Sequence, residues 1–271
     1  MTTEDLIIET GKELAMKAYE DTAQPALKST GELFELIPRA IRAMVSSLEI
    51  WTIKREFQVK AVTKLLEEKL KNLPPEQIVT PEAYIAVPAL QSISYCMNND
   101  ELRDMYANLL ASSMNKVMKD GVHPSYVEII RQLCPDEAKI LRYIALEEEI
   151  PTISIHYGDT SAYSVVVKDF SDVGFVTQCE QPNDIRKYLG NLVRLGLINI
   201  PDSSLSMSSS LTDKQLYEEL RKNSCLQSLL DNANIPKAEK DKIKFIEGYA
   251  SITDYGRGFC SICLNTTSSP E

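Results

Sequence analysis

VHPSYVEIIRQLCPDEAKIL, residues 122–141, carries two helix starts in close succession. His123-Pro124 opens the first and Pro135, followed by Asp136 and Glu137, opens the second. Proline suits the first helical position, because the N–H it lacks would have no intrahelical partner there. Acids in a first turn oppose the positive end of the helix dipole. Between the two starts, Val127, Ile130 and Leu133–Cys134 keep helical spacing. Nearly everything before this stretch reads as helix and short strands follow it, so it marks the seam between two halves.

Upstream of the seam, residues 4–23 predict a helix. The apolar residues from Leu33 to Leu48 recur at three- and four-residue steps, as do those from Trp51 to Leu70. Such steps put apolar side chains on one helical face. Pro74-Pro75 stops that run, and Thr80-Pro81-Glu82 predicts a start for a helix reaching Met97, with Pro88 inside it. Asn98-Asn99-Asp100 predicts a cap for a helix over 101–118. Its small residues Ala107, Ala111, Ser112 and Ser113 suit a central place in a helical bundle.

Downstream, a helix is predicted over 135–149 and strands over Thr152–Tyr157 and Ser164–Val167. Pro182-Asn183-Asp184 starts a helix whose buried face is Ile185, Leu189, Leu192 and Val193, with Gly196 as its C-cap. A strand is predicted over Leu197–Ile200, a mobile serine-rich loop over Ser203–Ser210, and a single helix over Asp213–Leu230. Ile243–Thr253 predicts one or two strands around Gly248, leading into Thr253-Asp254-Tyr255-Gly256-Arg257-Gly258-Phe259.

Composition limits function. The net charge is −10, which opposes non-specific association of the whole molecule with nucleic acid or anionic membrane. Ten glycines in 271 residues argue against a glycine-rich nucleotide-binding fold. No basic segment followed by a long apolar run opens the chain, and the six scattered cysteines read as reduced thiols, so a cytoplasmic location is expected. Cys260 and Cys263 have the spacing of a zinc or redox pair but lack a second close pair, and core thiols are the plainer reading. His123 has no nucleophile motif beside it and reads as a cap. Asp100, Glu101 and Asp104 read as a cap and a solvated turn rather than a cation site, and Glu147-Glu148-Glu149 as a solvated helix end. Phosphate-loop, nucleophile-elbow and His-Glu-x-x-His motifs are absent, so neither catalytic residues nor cofactor or metal ligands are assigned. The apolar segment Leu33–Trp51 is read as a bundle helix, with a switchable surface as the alternative.

A helix started by Pro182-Asn183-Asp184 and ending in LVRLGLI, then a strand, then a strand closing into T-D-Y-G-R-G-F, resembles a winged-helix domain, with two departures: a whole helix at about 213–230 where a simple wing has a short turn, and strands inserted at 152–177. The resulting expectation is a mainly α protein: an N-terminal helical bundle over 1–133, an elaborated winged-helix-like α+β domain over 134–264, and a disordered tail over 265–271. Arg186, Lys187 and Arg194 are then the candidate contacts for nucleic acid or a partner. Residues 184–200 carry three cations against Asp184, a net of +2. Residues 135–264 carry 14 Lys and Arg against 19 Asp and Glu, a net of −5, which favours a protein-contact role over DNA reading.

The stretches NDELRDMYANLLASSMN (98–115), VHPSYVEIIRQL (122–133), PDEAKILRYI (135–144), YLGNLVRLGLI (188–198) and ITDYGRGFCSICL (252–264) together resemble the bacterial abortive infection alpha (Abi-alpha) family. The resemblance implies a cytoplasmic bacterial protein of abortive-infection phage defence and supplies no catalytic residue. It supports an interaction protein whose expected partner is another protein or a second copy of the chain. A phage component is a further option, and DNA is opposed by charge. A transcriptional regulator of winged-helix type is the alternative.

Overall fold

The computed structural model describes residues 55–93, 95–96, 98–159, 162–202, 214–233 and 235–266. The expectations for 4–23, Leu33–Trp51, Ser203–Ser210 and 267–271 lie outside them. The described residues form ten α-helices and one small four-stranded antiparallel sheet. They divide into two compact units. One runs through Gln132 and includes Ile262–Asn265; the other runs from Leu133 to Ser261 with Thr266.

The first unit is helical: α1 (Arg55–Leu70), α2 (Ala83–Ile93), α3 (Asp100–Ser113) and α4 (Ser125–Gln132). On α1, Val62, Leu66 and Leu70 repeat every four residues and are buried. The second helix begins at Ala83, past the Thr80-Pro81 signal, and contains Pro88. The third is capped by Asn99, whose side chain accepts from the Leu102 N–H at 3.0 Å. All nine residues from Met105 to Ser113 are buried, so this later part of α3 is enclosed by α1, α2 and its other neighbours, while its first turn stays at the surface.

That helix ends at Ser113, short of the expected 118, for a tertiary reason. The Val79 N–H donates to the Met114 carbonyl and the Lys116 N–H to the Gln77 carbonyl, both at 2.8 Å, and Ile78 bridges Asn115. Pairing with 77–79 draws the backbone out of the helix. Asp104, Asn108 and Ser112, four residues apart, form a polar row on α3. Asn108 Nδ2 donates to the Cys263 carbonyl at 2.9 Å and Ser112 Oγ to the Ile262 carbonyl at 3.3 Å. Asn265 Nδ2 donates to Asn108 Oδ1 at 2.9 Å. The row thus satisfies carbonyls at a helix end, which have no partner within their own helix.

The second unit orders as α5 (Pro135–Glu147), β1 (Glu149–Gly158), β2 (Tyr163–Phe170), α6 (Val173–Val176), α7 (Ile185–Arg194), β3 (Ile198–Asn199), α8 (Lys214–Lys222), α9 (Ser224–Asp231), β4 (Ile243–Ile252) and the part of α10 (Asp254–Cys263) that runs to Ser261. The strand order is β2-β1-β4-β3. Ile140, Leu141 and Ile144 of α5, Leu189 and Leu192 of α7, and Ile153, Ile155, Phe170 and Ala250 of the sheet are fully buried. They form the core of this unit.

The expected single helix at 213–230 is two helices. The Asn223 side chain accepts from the Cys225 N–H at 2.9 Å and caps α9. This insertion is fastened to β4: Tyr217 donates to the Gly248 carbonyl at 2.9 Å, and Arg221 pairs with Glu247 at 2.5 Å while lying over Phe245. Strand β4 runs unbroken through Gly248.

Both edges of the sheet are irregular or short. Along β2 the pairs step from Ile153↔Phe170 to Ile155↔Val167 to His156↔Val165, so β2 holds an extra residue at each step. Asp169, in the first of these bulges, has φ of 51° and its N–H donates to Ser154 Oγ at 3.0 Å. The opposite edge, β3, is two residues long.

Candidate interaction surface

Helix α7 presents the candidate contacts, and the sequence around it explains why it is held firmly. Its start is fixed by Asp136 in the first turn of α5. That buried carboxylate accepts from the Glu180 N–H at 3.0 Å, the Gln181 N–H at 3.1 Å and the Tyr188 hydroxyl at 3.0 Å, with Lys139 Nζ 3.7 Å away. Burial acts to raise the Asp136 pKa, but the two amides, the tyrosine and Lys139 outweigh it and hold the carboxyl below its usual range. The same bond, added to burial, pushes the Tyr188 phenol up. Asp136 is thus more than a dipole partner. It ties the loop ahead of α7 to α5.

The end of α7 is fixed as firmly. Gly196 has φ of 72°, a conformation that L side chains rarely adopt, and the Leu197 N–H donates back to the Leu192 carbonyl at 3.0 Å. Thr253 then locks this turn to α10. Its hydroxyl is 2.7 Å from the Gly196 carbonyl and 3.1 Å from the Leu197 carbonyl, and it accepts from the Gly256 N–H at 2.8 Å. The T-D-Y-G segment is therefore a helix cap that also grips the end of α7. Gly256 lies so close that a Cβ there would sit 1.9 Å from the Leu197 oxygen.

Ile185, Leu189 and Leu192 face inward and are fully buried. Arg186, Lys187, Gly190, Val193 and Arg194 face outward and are exposed. Val193, expected in the buried face, is 41% exposed. Steps of four and three place Arg186, Gly190 and Val193 in one stripe, and the seven-residue step sets Lys187 and Arg194 beside it. The structure therefore brings all three candidate cations onto one face. Lys187 pairs with Asp184 at 2.9 Å. Arg194 donates to Asn191 Oδ1 at 3.0 and 2.7 Å. Arg186 lies close enough to Cys225 to act on its thiol. Above Gly190 there is open space: a Cβ built there meets nothing within 4 Å.

The other residues considered for chemistry take structural places. Cys260 and Cys263 are buried, and burial pushes the Cys260 thiol up to about 12. His123 is exposed and its Nδ1 accepts from the Ser125 N–H at 3.2 Å, at the start of α4. Asp104 pairs with Lys69 at 2.5 Å, and Asp100 with Arg103 at 2.8 Å. Among the described residues no group of three or more His, Cys, Asp or Glu could hold a metal ion, and no helix is long and apolar enough to cross a membrane.

Residues 54–263 match the family described as abortive infection alpha. The chain belongs to the Abi-alpha family. The α3 stretch, both helix starts of the seam, α7 with its Gly196 turn, and the T-D-Y-G-R-G-F segment all lie inside the matched range. A solved structure of an uncharacterized protein from the hydrocarbon-degrading marine bacterium Alcanivorax borkumensis SK2 is similar to this Abi-alpha chain at 18% identity. It covers 56% of this chain and 96% of that chain, with a TM-score of 0.38. No curated protein matches.

Proposed function

We propose that this Abi-alpha chain is a bacterial anti-phage defence protein of the abortive-infection type, working in the cytoplasm by binding rather than catalysis. Family membership across 54–263 carries the reading. The outward face of α7, with Arg186, Lys187 and Arg194 on a rigidly anchored helix, is the contact surface it invokes. The test is plating of phages on bacteria expressing the chain, alone and beside its native gene neighbours, scoring plaques and host survival. Protection with host death at high phage dose is the expected result. No protection against a broad phage panel in either context refutes it.

A winged-helix DNA-binding regulator is the second reading. It is supported by topology: α7 precedes β3, and β4 lies between β3 and β1, the arrangement of a helix feeding a wing. The net charge of −5 over 135–264 weighs against it, because a DNA reader neutralises phosphates with a basic face. Retardation of a duplex at low salt, lost on Arg186→Glu, favours the regulator; no retardation of any duplex removes it.

A further inference from the structure

We infer that the outward face of α7 docks an amphipathic helix of a partner protein, one whose apolar stripe is flanked by acidic side chains. The inference rests on the binding reading above and specifies the partner. Gly190 stands between Arg186 and Val193 in the stripe, with open space where a side chain would project. A glycine at that point lets another backbone come close. Val193, 41% exposed on an otherwise polar face, supplies the apolar contact. Lys187 and Arg194 flank the stripe, and Arg186 closes one end of it.

Charge chooses the occupant. Residues 184–200 carry three cations against Asp184, a net of +2 within the net −5 of residues 135–264, so an acidic flank meets its complement here. The Lys187–Asp184 pair is exposed and contributes little, so its ammonium can exchange to a partner carboxylate. Asn191 holds the Arg194 guanidinium in place, which lowers the entropy lost on pairing. A nucleic-acid backbone fits less well. Three cations neutralise few phosphates against an acidic background, and phosphates gain nothing from Val193. The anchors at Asp136, Gly196 and Thr253 keep the face preformed, as helix docking requires.

The experiment uses the full chain and a fluorescein-labelled helical peptide of about 20 residues, a length that spans the whole face. The peptide carries a Leu stripe flanked by Glu. Fluorescence anisotropy is compared with a scrambled peptide of the same composition, polyglutamate and a DNA duplex. Expected is binding at least about tenfold tighter than to the scrambled peptide. The Arg186→Glu/Arg194→Glu variant should lose about tenfold or more and gain affinity for a Lys-flanked version of the peptide. Gly190→Leu should weaken binding while the circular dichroism spectrum is unchanged. Equal affinity for the scrambled peptide or polyglutamate, tighter binding to the duplex, or no gain by the Lys-flanked peptide overturns the assignment. Phage plating is read separately. Failure of the wild-type chain to protect removes the defence reading and leaves the peptide result standing, whereas full protection by the charge-reversed variant overturns docking on this face.

Discussion

Gly256→Ala tests whether the Thr253 lock is real. The added methyl would lie 1.9 Å from the Leu197 oxygen, 2.8 Å from its carbon and 2.9 Å from Ile252 Cδ1. Two of these atoms are backbone, so the start of α10 must retreat by about 1.5–2 Å to reach ordinary contact. Overpacking of this kind costs about 1–3 kcal/mol. The retreat also stretches the Thr253 bonds to Gly196, Leu197 and Gly256, and a lost cap costs about 1 kcal/mol more. Replacing glycine by alanine in a helix returns at most about 1 kcal/mol. The net expectation is a loss of about 2 kcal/mol, or a midpoint lowered by about 4–8 °C. Thermal and urea unfolding by circular dichroism measures it. Gly190→Ala is the internal contrast, because its methyl meets nothing and the same exchange should stabilise by about 0.5–1 kcal/mol. Thr253→Ala should cost about 1 kcal/mol alone and clearly less beside Gly256→Ala, since both act on one contact. A Gly256→Ala chain as stable as wild type, or full additivity of the pair, refutes the lock.

Asp136→Ala should lower stability by about 3 kcal/mol, because the Glu180 and Gln181 amides and the Tyr188 hydroxyl lose a charged acceptor together; urea titration measures the loss. The folded Asp136 pKa is depressed, so its contribution is present above the unfolded carboxyl value near 4 and is lost as pH falls through the folded value; unfolding midpoints of wild type against Asp136→Asn over that acid range should converge. At the alkaline end the shift has the opposite sign. Burial raises the Cys134 and Cys260 thiols to about 11 and about 12, so their contribution is complete below about 9 and declines as pH rises through those values, which a stability profile from pH 8 to 12 detects. Under native conditions an alkylating reagent should modify the half-exposed Cys96 and Cys225 well before the buried Cys179, Cys260 and Cys263, read by peptide mass spectrometry.

Local signals survived folding and long-range ones were hidden. Asn99, Pro135 and Gly196 act within a turn of themselves, so their caps were readable from neighbouring residues. The shared face of Arg186, Lys187 and Arg194 follows from helical spacing alone. The end of α3 at Ser113 was not readable, because it depends on pairing with residues 77–79 more than thirty positions earlier. Glu149 reads as the charged end of a helix, yet it pairs with Ser251 as the first residue of β1. The split at Asn223 is marked in the sequence by its Asn-Ser pair, which the single-helix reading of 213–230 passes over. Asp136 reads as a dipole partner, and nothing near it announces its bonds to residues 44 to 52 positions later. The grip of Thr253 on Gly196 exists only once two distant segments meet.

The irregular rims of the sheet restrict how this molecule can recognise anything. A regular outer strand offers its peptide groups to any extended chain, which gives affinity with little selectivity. Here one rim is interrupted at two places and the other is two residues long, so neither supplies a continuous ladder for an incoming strand. Along these described edges, recognition falls to side chains. A vocabulary of side chains can be rewritten one codon at a time, leaving the scaffold beneath it untouched. Peptide-group pairing has no such freedom, since every residue contributes the same donor and acceptor.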